Sequence, residues 1–206
     1  MGIGKLYIIS APSGAGKTSL VKQLVAEVED LAVSISHTTR PIRPGEVNGQ
    51  DYFFVSAKEF ETLLDSGELL EHASVYDNYY GTAKKTVETS LTAGLDVILE
   101  IDWQGAQQIK KIRPDSTSIF ILPPSTAILE QRLKSRGQDD DHVIARRMRD
   151  AVTEMCHHNE FDYILVNDAF ERALTGLKSI IIANRLTRER QEQNLKDLVT
   201  ALLSSS

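Results

Sequence analysis

Residues 6–24 read LYIISAPSGAGKTSLVKQL. Lys5–Ser10 is a short β-rich run, and the segment after Lys17 carries Leu20, Leu24 and Val28 at helical spacing. Between them lies the glycine-rich turn Ser13-Gly14-Ala15-Gly16-Lys17-Thr18. A strand that enters such a turn and leaves it as a helix gathers backbone N–H groups around an anion at the helix N-terminus. Gly14 and Gly16 permit the tight backbone, Lys17 supplies charge for terminal phosphates, and Thr18 supplies an oxygen for Mg²⁺. The P-loop pattern begins with Gly, whereas this chain has Ala11 there. One methyl is tolerated at that junction if its φ is negative.

Outward from this loop the chain alternates. Ala32–Ser36 is a strand candidate, and 37–49 is a polar loop broken by Pro41, Pro44, Gly45 and Gly49. Asp51–Val55 is a further strand. Ser56 and Glu59 form a capping box for a helix to about Ser66. Leu69–Tyr80 reads as strand and turn, with a helix from Ala83 to Thr92. Asp96–Asp102 is a buried strand with Glu100 and Asp102 at its end, and a helix follows from Trp103. After the strand Ser118–Leu122, Pro123-Pro124-Ser125 opens a helix ending near Arg136; Gly137–Asp141 is hinge-like and leads into another helix. Tyr163–Asn167 is the last strand, and one long charged helix from about Glu171 closes the chain.

This alternation implies an α/β fold, a parallel sheet covered by helices on both faces. Ligands of such sheets bind beyond the C-terminal strand ends, where both the loop and the Glu100/Asp102 pair fall. An acid there suits the Mg²⁺ shell of a phosphate-loop protein, and Asp102 fits, directly or through water. The competing reading makes Asp102 the cap of the helix at Trp103.

The totals bound the rest. With 206 residues, the chain has one domain's worth of core, and a net charge of −6 argues against a general nucleic-acid surface. One cysteine, Cys156, excludes an internal disulfide. The N-terminal apolar run is too short for a signal peptide, and none approaches the ~20 residues that span a bilayer. A cytoplasmic protein without membrane or nucleic-acid partners is expected. The helix from Glu171 could serve a homo-oligomer, though its composition requires none.

A second cluster lies in SHTTRPIRPGEVNGQDYFF, 36–54, and LLEHASVYDNYYGT, 69–82. Arg40 and Arg43 suit a forked clamp on a second phosphate, with Tyr52 and Tyr80 as O–H donors. Glu71 is one acid in an apolar and aromatic stretch. Alone it reads as a surface acid.

Taken in order, A-P-S-G-x-G-K-T, T-T-R-P-x-R-P-G-E, the Tyr-Tyr-Gly turn and I-D-W-Q-G resemble the bacterial-type guanylate kinases, P-loop nucleoside monophosphate kinases. The resemblance runs from the first strand to Val166–Asp168. It implies transfer of the γ-phosphoryl of ATP to GMP with Mg²⁺, giving ADP and GDP, with dGMP as a further acceptor. It divides the single domain 1–206 into a P-loop NTPase core (1–36, 87–136 and 149–206), a mixed α/β GMP-binding insertion (37–86) and a helical lid (137–148). ATP would lie on Ala11, Pro12, Ser13, Gly14, Ala15, Gly16, Lys17, Thr18 and Ser19, with Asn167 and Asp168 beside the adenine. GMP would lie among Ser36, Arg40, Arg43, Tyr52, Glu71, Tyr80, Gly81, Thr82, Glu100 and Asp102. Glu100 stands where Asp is expected, and Thr82 where Ser is also common.

The guanine assignment makes chemical sense. Guanine offers N1–H and N2–H₂ as donors and O6 as acceptor, so Glu71 can take both donors while a Ser or Thr hydroxyl gives to O6. Of the run Arg132, Arg136, Arg146, Arg147 and Arg149, the resemblance selects Arg136 and Arg147 as lid arginines. With Lys17 and Arg43 they would spread charge during direct in-line transfer, without an essential general base.

Two other functions compete. Asp102-Trp103-Gln104-Gly105 matches the D-x-x-G of small regulatory GTPases, but their N-K-x-D finds only Asn159-Glu160-Phe161-Asp162. A catalytically silent phosphopeptide-binding module of guanylate-kinase type is disfavoured by the intact Lys17, Thr18, Arg136 and Arg147. His157 and His158 read as helix-surface residues, Cys156 as a small buried hydrophobe and Trp103 as packing at the sheet edge.

Overall fold

A computed structural model describes residues 4–135 and 141–204, except the side chains of Asp141 and Gln193. The chain begins with β1 (Leu6–Ser10), α1 (Lys17–Glu27), β2 (Leu31–Val33), β3 (His37–Thr38), β4 (Phe53–Phe54) and α2 (Ala57–Asp65). It continues through β5 (Leu69–Val75), β6 (Asn78–Ala83), α3 (Lys84–Thr92), β7 (Asp96–Glu100), α4 (Trp103–Ile112), β8 (Thr117–Leu122) and α5 (Thr126–Ser135). The last part holds α6 (Asp141–Cys156), β9 (Tyr163–Val166), α7 (Phe170–Arg185), α8 (Arg188–Asn194) and α9 (Lys196–Ser204).

The main sheet has the order β2-β7-β1-β8-β9, and all its pairings are parallel. Side chains alternate across β1, so Tyr7 and Ile9 meet Leu20 and Leu24 of α1 and Leu174 and Leu177 of α7. Leu6 and Ile8 meet Val87 and Leu91 of α3 and Ile109 of α4 on the other face. Every residue of β1 is buried, as expected for a central parallel strand covered twice. The chain leaves β1 toward β2 and later crosses to β8 on the opposite side. The crevice at this switch opens at the C-terminal end of β1.

A second sheet, β4-β3-β6-β5, is mixed: β3 pairs β4 in parallel and β6 antiparallel. It lies wholly within 37–86. Its helix α2 begins with both halves of the Ser56/Glu59 capping box in place. The sheet meets the core where Gln108 exchanges two hydrogen bonds with the backbone of His72.

Three local expectations change. The strand expected over Ala32–Ser36 ends at Val33, and His37–Thr38, expected as loop, pairs in the second sheet. The chain changes sheets within 34–36. The turn Tyr76-Asp77 between β5 and β6 has φ of 49° and 63°, a geometry that Asn-Gly adopts readily and that costs other residues about 1–2 kcal/mol each.

The third change concerns the single long terminal helix, which divides into α7, α8 and α9. The carboxylate of Asp96, 1% exposed, binds Arg185 of α7 at 2.8 Å and Arg190 of α8 at 2.9 Å. Satisfying one buried acid from both helices requires the break at Leu186-Thr187. No helix among the described residues is long and apolar enough to cross a membrane.

Candidate functional site

The glycine-rich loop has the geometry its sequence implies. Gly14 and Gly16 hold φ of 92° and 95°. A Cβ on Gly16 would lie 2.5 Å from Asn167 Nδ2, and one on Gly14 would lie 3.0 Å from Leu129 and Leu133. Both conformation and space therefore demand glycine. Non-glycine residues with positive φ, among those described, are Asp30, Tyr76 and Asp77, so Ala11 keeps the ordinary backbone its methyl needs. Gly16 is the N-cap of α1 and offers no side-chain acceptor. The first-turn N–H groups of Lys17, Thr18 and Ser19 have no intrahelical partner by geometry, which leaves them for an anion. Pro12 O closes the turn by accepting from Ala15 N–H.

Asn167 is buried behind this loop and donates through Nδ2 to Ala15 O at 2.7 Å. Arg132, one of the arginine run 132–149, donates to Ala15 O at 3.3 Å and Asn167 O at 3.0 Å. These contacts make Asn167 a brace of the loop backbone. Asp168 points elsewhere, accepting from Ala169 N–H and Arg172.

Register places the acids. Ile9 of β1 stands opposite Glu100 of β7, so Glu100 arrives at the level of the loop and receives the Thr18 hydroxyl. Lys17 Nζ crosses the same end of the sheet and donates to Ile101 O at 3.2 Å. Asp102 is the N-cap of α4, accepting from Gly105 N–H at 3.0 Å and Gln104 at 3.0 Å. Its capping role is thus realised, and the acid in contact with Thr18 is Glu100.

The second sheet contributes a buried polar cluster. Glu71, 3% exposed, accepts the Thr82 hydroxyl at 2.7 Å, and Thr82 lies 3.4 Å from Ser36 Oγ. Burial pushes the Glu71 carboxyl up to about 7, opposed by the Thr82 hydrogen bond and reinforced by Asp102. The surface-acid reading of Glu71 is therefore wrong. Its Oε2 lies 2.4 Å from where a Cβ on Gly105 would stand, so Gly105 makes room for the carboxylate. Gly81 instead serves packing, since a Cβ there would meet Leu69, Phe60 and the backbone of Glu71.

Arg40 and Arg43 lie in the loop between β3 and β4. Glu46 holds both, accepting from the Arg40 guanidinium at 2.7 Å and from Arg43 N–H at 2.8 Å. Arg40 also lies 5.4 Å from the Tyr52 ring centroid, and Tyr52 meets Tyr80 edge-on. Burial lowers the Arg43 pKa, and the positive fields of Arg40 and Arg147 lower it further. Like charges from Arg40, Arg43 and Arg147 therefore act on one another here, an arrangement whose repulsion a bound anion would relieve. Arg147 belongs to α6; Arg136 and 137–140 lie outside the described residues.

The family model for guanylate kinase matches residues 3–184. The chain belongs to the guanylate kinase family. The guanylate kinase of Methylococcus capsulatus is 58% identical over 200 residues, covering 97% of this chain and 98% of its own length. That of Salmonella typhimurium is 54% identical over 206 residues, covering 99% of this chain and 100% of its own. The crystal structure of guanylate kinase from Anaplasma phagocytophilum superposes with a TM-score of 0.79 at 32% identity, covering 94% of each chain.

Several residues that contact the loop and the buried acid carry little signal in the sequence. Glu46 is visible only as the acid three residues after Arg43, and Gly105 only as the end of D-W-Q-G. Arg132 and Glu154 carry no local signal, because their partners are distant in sequence; Glu154 of α6 accepts from Ser13 N–H at 3.2 Å. Asn159–Asp162, the nearest match to a GTPase base reader, serves structure instead: Asp162 accepts from Ser118 and Lys110, and Glu160 from Gln107. Cys156, expected buried, is exposed at the end of α6. His157, expected on the surface, stacks on Trp103 with centroids 3.6 Å apart.

Proposed function

We propose that this chain transfers the γ-phosphoryl group of ATP to GMP, giving ADP and GDP. The observation that carries the reading is the pairing of two anion sites across one crevice: the glycine-rich loop, and the Arg40–Arg43 clamp beside the buried Glu71. One site takes the donor's phosphates and the other takes the acceptor.

In the acceptor site, Glu71 accepts guanine N1–H and N2–H. The Thr82 proton is committed to Glu71, so Ser36 gives its own to O6. Arg40, Arg43, Tyr52 and Tyr80 hold the GMP phosphate, with Glu46 fixing the arginines. dGMP presents the same base and phosphate and is a second acceptor. On this reading 37–86 is the acceptor-binding insertion, joined to a core of 1–36, 87–136 and 149–206, and the lid is 137–148, which takes in α6 up to residue 148.

In the donor site, N–H groups of the loop and Lys17 hold the ATP phosphates. The donor set for a metal is the Thr18 hydroxyl with the Glu100 carboxylate, oxygens only, which suits Mg²⁺ bound by one or two protein groups and phosphates. Asp102 caps α4 at the same end of the sheet and would reach such a metal through water. Mg²⁺ there would neutralise charge on the transferring phosphoryl. A phosphate oxygen of GMP forms the new P–O bond in line as the bond to the ADP oxygen breaks. Lys17, Arg43 and Arg147 balance the charge of that transition state, and no general base is needed.

The test is ADP formation from ATP with each nucleoside monophosphate in turn. Turnover that depends on GMP is expected, and ADP formation indifferent to GMP would overturn the reading.

A further inference from the structure

The acceptor-binding hairpin does more than carry Glu71 and Thr82. Its turn, Tyr76-Asp77, reaches α6 and the glycine-rich loop. Arg146 of α6 pairs with Asp77 at 3.0 Å, and the Arg147 guanidinium lies 5.7 Å from the Tyr76 ring centroid. From the same helix, two turns on, Glu154 accepts from Ser13 N–H of the loop at 3.2 Å. Three elements far apart in sequence thus meet at one point.

Two features of this point call for a cause. Tyr76 and Asp77 occupy left-handed backbone, which a bulky aromatic avoids, although a glycine would fit freely. The Tyr76 hydroxyl is buried among Glu154, Asp150, Arg147 and Ser13, so the side chain is enclosed by α6 and the glycine-rich loop. Strain held at such a place points to function.

We propose that Tyr76 and Glu154 are positioning residues that join the acceptor-binding hairpin, the glycine-rich loop and α6, so that the docked hairpin sets Arg147 over the transferring phosphoryl. The inference rests on the phosphoryl-transfer reading above. Glu71 and Thr82 stand on the two strands of the hairpin whose turn is Tyr76-Asp77, so a guanine held between them fixes that turn. The fixed turn seats the Tyr76 ring against Arg147. Glu154 ties the far part of the same helix to the loop that holds the donor. Acceptor occupancy is thereby transmitted to a charge-neutralising arginine, and to the loop, through contacts that neither substrate makes.

Tyr76→Gly separates this role from a structural one. Glycine adopts the observed φ without strain but forfeits the packing of the half-buried ring, so a purely structural Tyr76 predicts a lower Tm with unchanged turnover per folded molecule. The proposal predicts, per folded molecule, GMP affinity without ATP within about threefold of wild type and a kcat lower by ~10–100-fold. Tyr76→Phe keeps the ring and should retain kcat within about threefold. Glu154→Gln keeps an acceptor for Ser13 N–H and should exceed Glu154→Ala in kcat by about tenfold. The Tyr76→Gly/Glu154→Ala double variant should be scarcely slower than its slower single, since both break one linkage.

Normal kcat in Tyr76→Gly, or losses that multiply in the double variant, would overturn the proposal while wild-type GMP-dependent turnover stands. Loss of that wild-type turnover would instead overturn the phosphoryl-transfer reading and the inference with it.

Discussion

Replacing Glu71 by Gln tests the base-reading site through two measurements that move in opposite directions. The carboxylate is buried, it accepts one hydroxyl, and burial raises its pKa from 4.5 to about 7. In the folded chain it therefore holds its proton more tightly than in the unfolded chain. Its contribution to stability falls as pH rises from about 4.5 to about 7 and is level above that. The shift corresponds to a penalty of about 3 kcal/mol for the ionised form. Glu71→Gln removes that penalty, so the stability of the variant relative to wild type should rise by about 3 kcal/mol between pH 4.5 and pH 8. Costs of burying the amide cancel in this comparison.

Binding moves the other way. The carboxylate can accept two charge-assisted hydrogen bonds from guanine, each contributing about 1.5–3 kcal/mol. Gln offers one acceptor and sets its own N–H₂ against a guanine donor. kcat/KM for GMP should fall by ~10²–10³-fold, with the KM for ATP unchanged. Urea unfolding at several pH values and steady-state kinetics at saturating ATP measure the two effects. Wild-type kcat/KM for GMP should also rise with pH toward about 7, and the variant should lose the part of that rise due to Glu71. The GMP phosphate, whose second pKa is about 6, titrates equally in both proteins. A change in kcat/KM below about threefold, or a stability difference that is flat with pH, would refute the reasoning.

Other variants probe the supports. Gly105→Ala places a methyl where Glu71 Oε2 lies only 2.4 Å away, so the KM for GMP should rise by ~10-fold or more with ATP binding intact. Asn167→Ala removes the 2.7 Å bond to Ala15 O behind the loop, and the KM for ATP should rise by about tenfold with that for GMP little changed. Asp96→Ala leaves Arg185 and Arg190 without their shared acid and should cost about 3–5 kcal/mol in urea unfolding. Turnover per folded molecule should survive that last change, and a loss of activity without a loss of stability would contradict its structural assignment.

Much of the site was legible where chemistry and spacing are local. The loop and its two glycines could be read because the strand, the turn and the helix start lie within 6–24, and positive φ restricts residue choice. The Ser56/Glu59 capping box could be read for the same reason, since both partners lie within one turn. Glu71 was different. Its strand marks no function, and only the ordered set of motifs singled it out. Its burial beneath Thr82 and against Gly105 depends on α4 packing on β5, with partners 11 and 34 positions along the chain.

By itself, the sequence determined the phosphate loop, the alternation of strands and helices, and the family. Each rests on backbone preferences or on patterns that neighbours in the chain create. Only the tertiary structure decided that Glu100 rather than Asp102 meets Thr18, because the register of β1 on β7 sets the level of each acid. It also decided that the terminal helix breaks, because one buried Asp96 attracts arginines from two segments. The meeting of Tyr76, Ser13 and Glu154 is of the same kind. Long-range contacts place charges and acceptors in low-dielectric surroundings, and no local pattern encodes which distant partner will arrive.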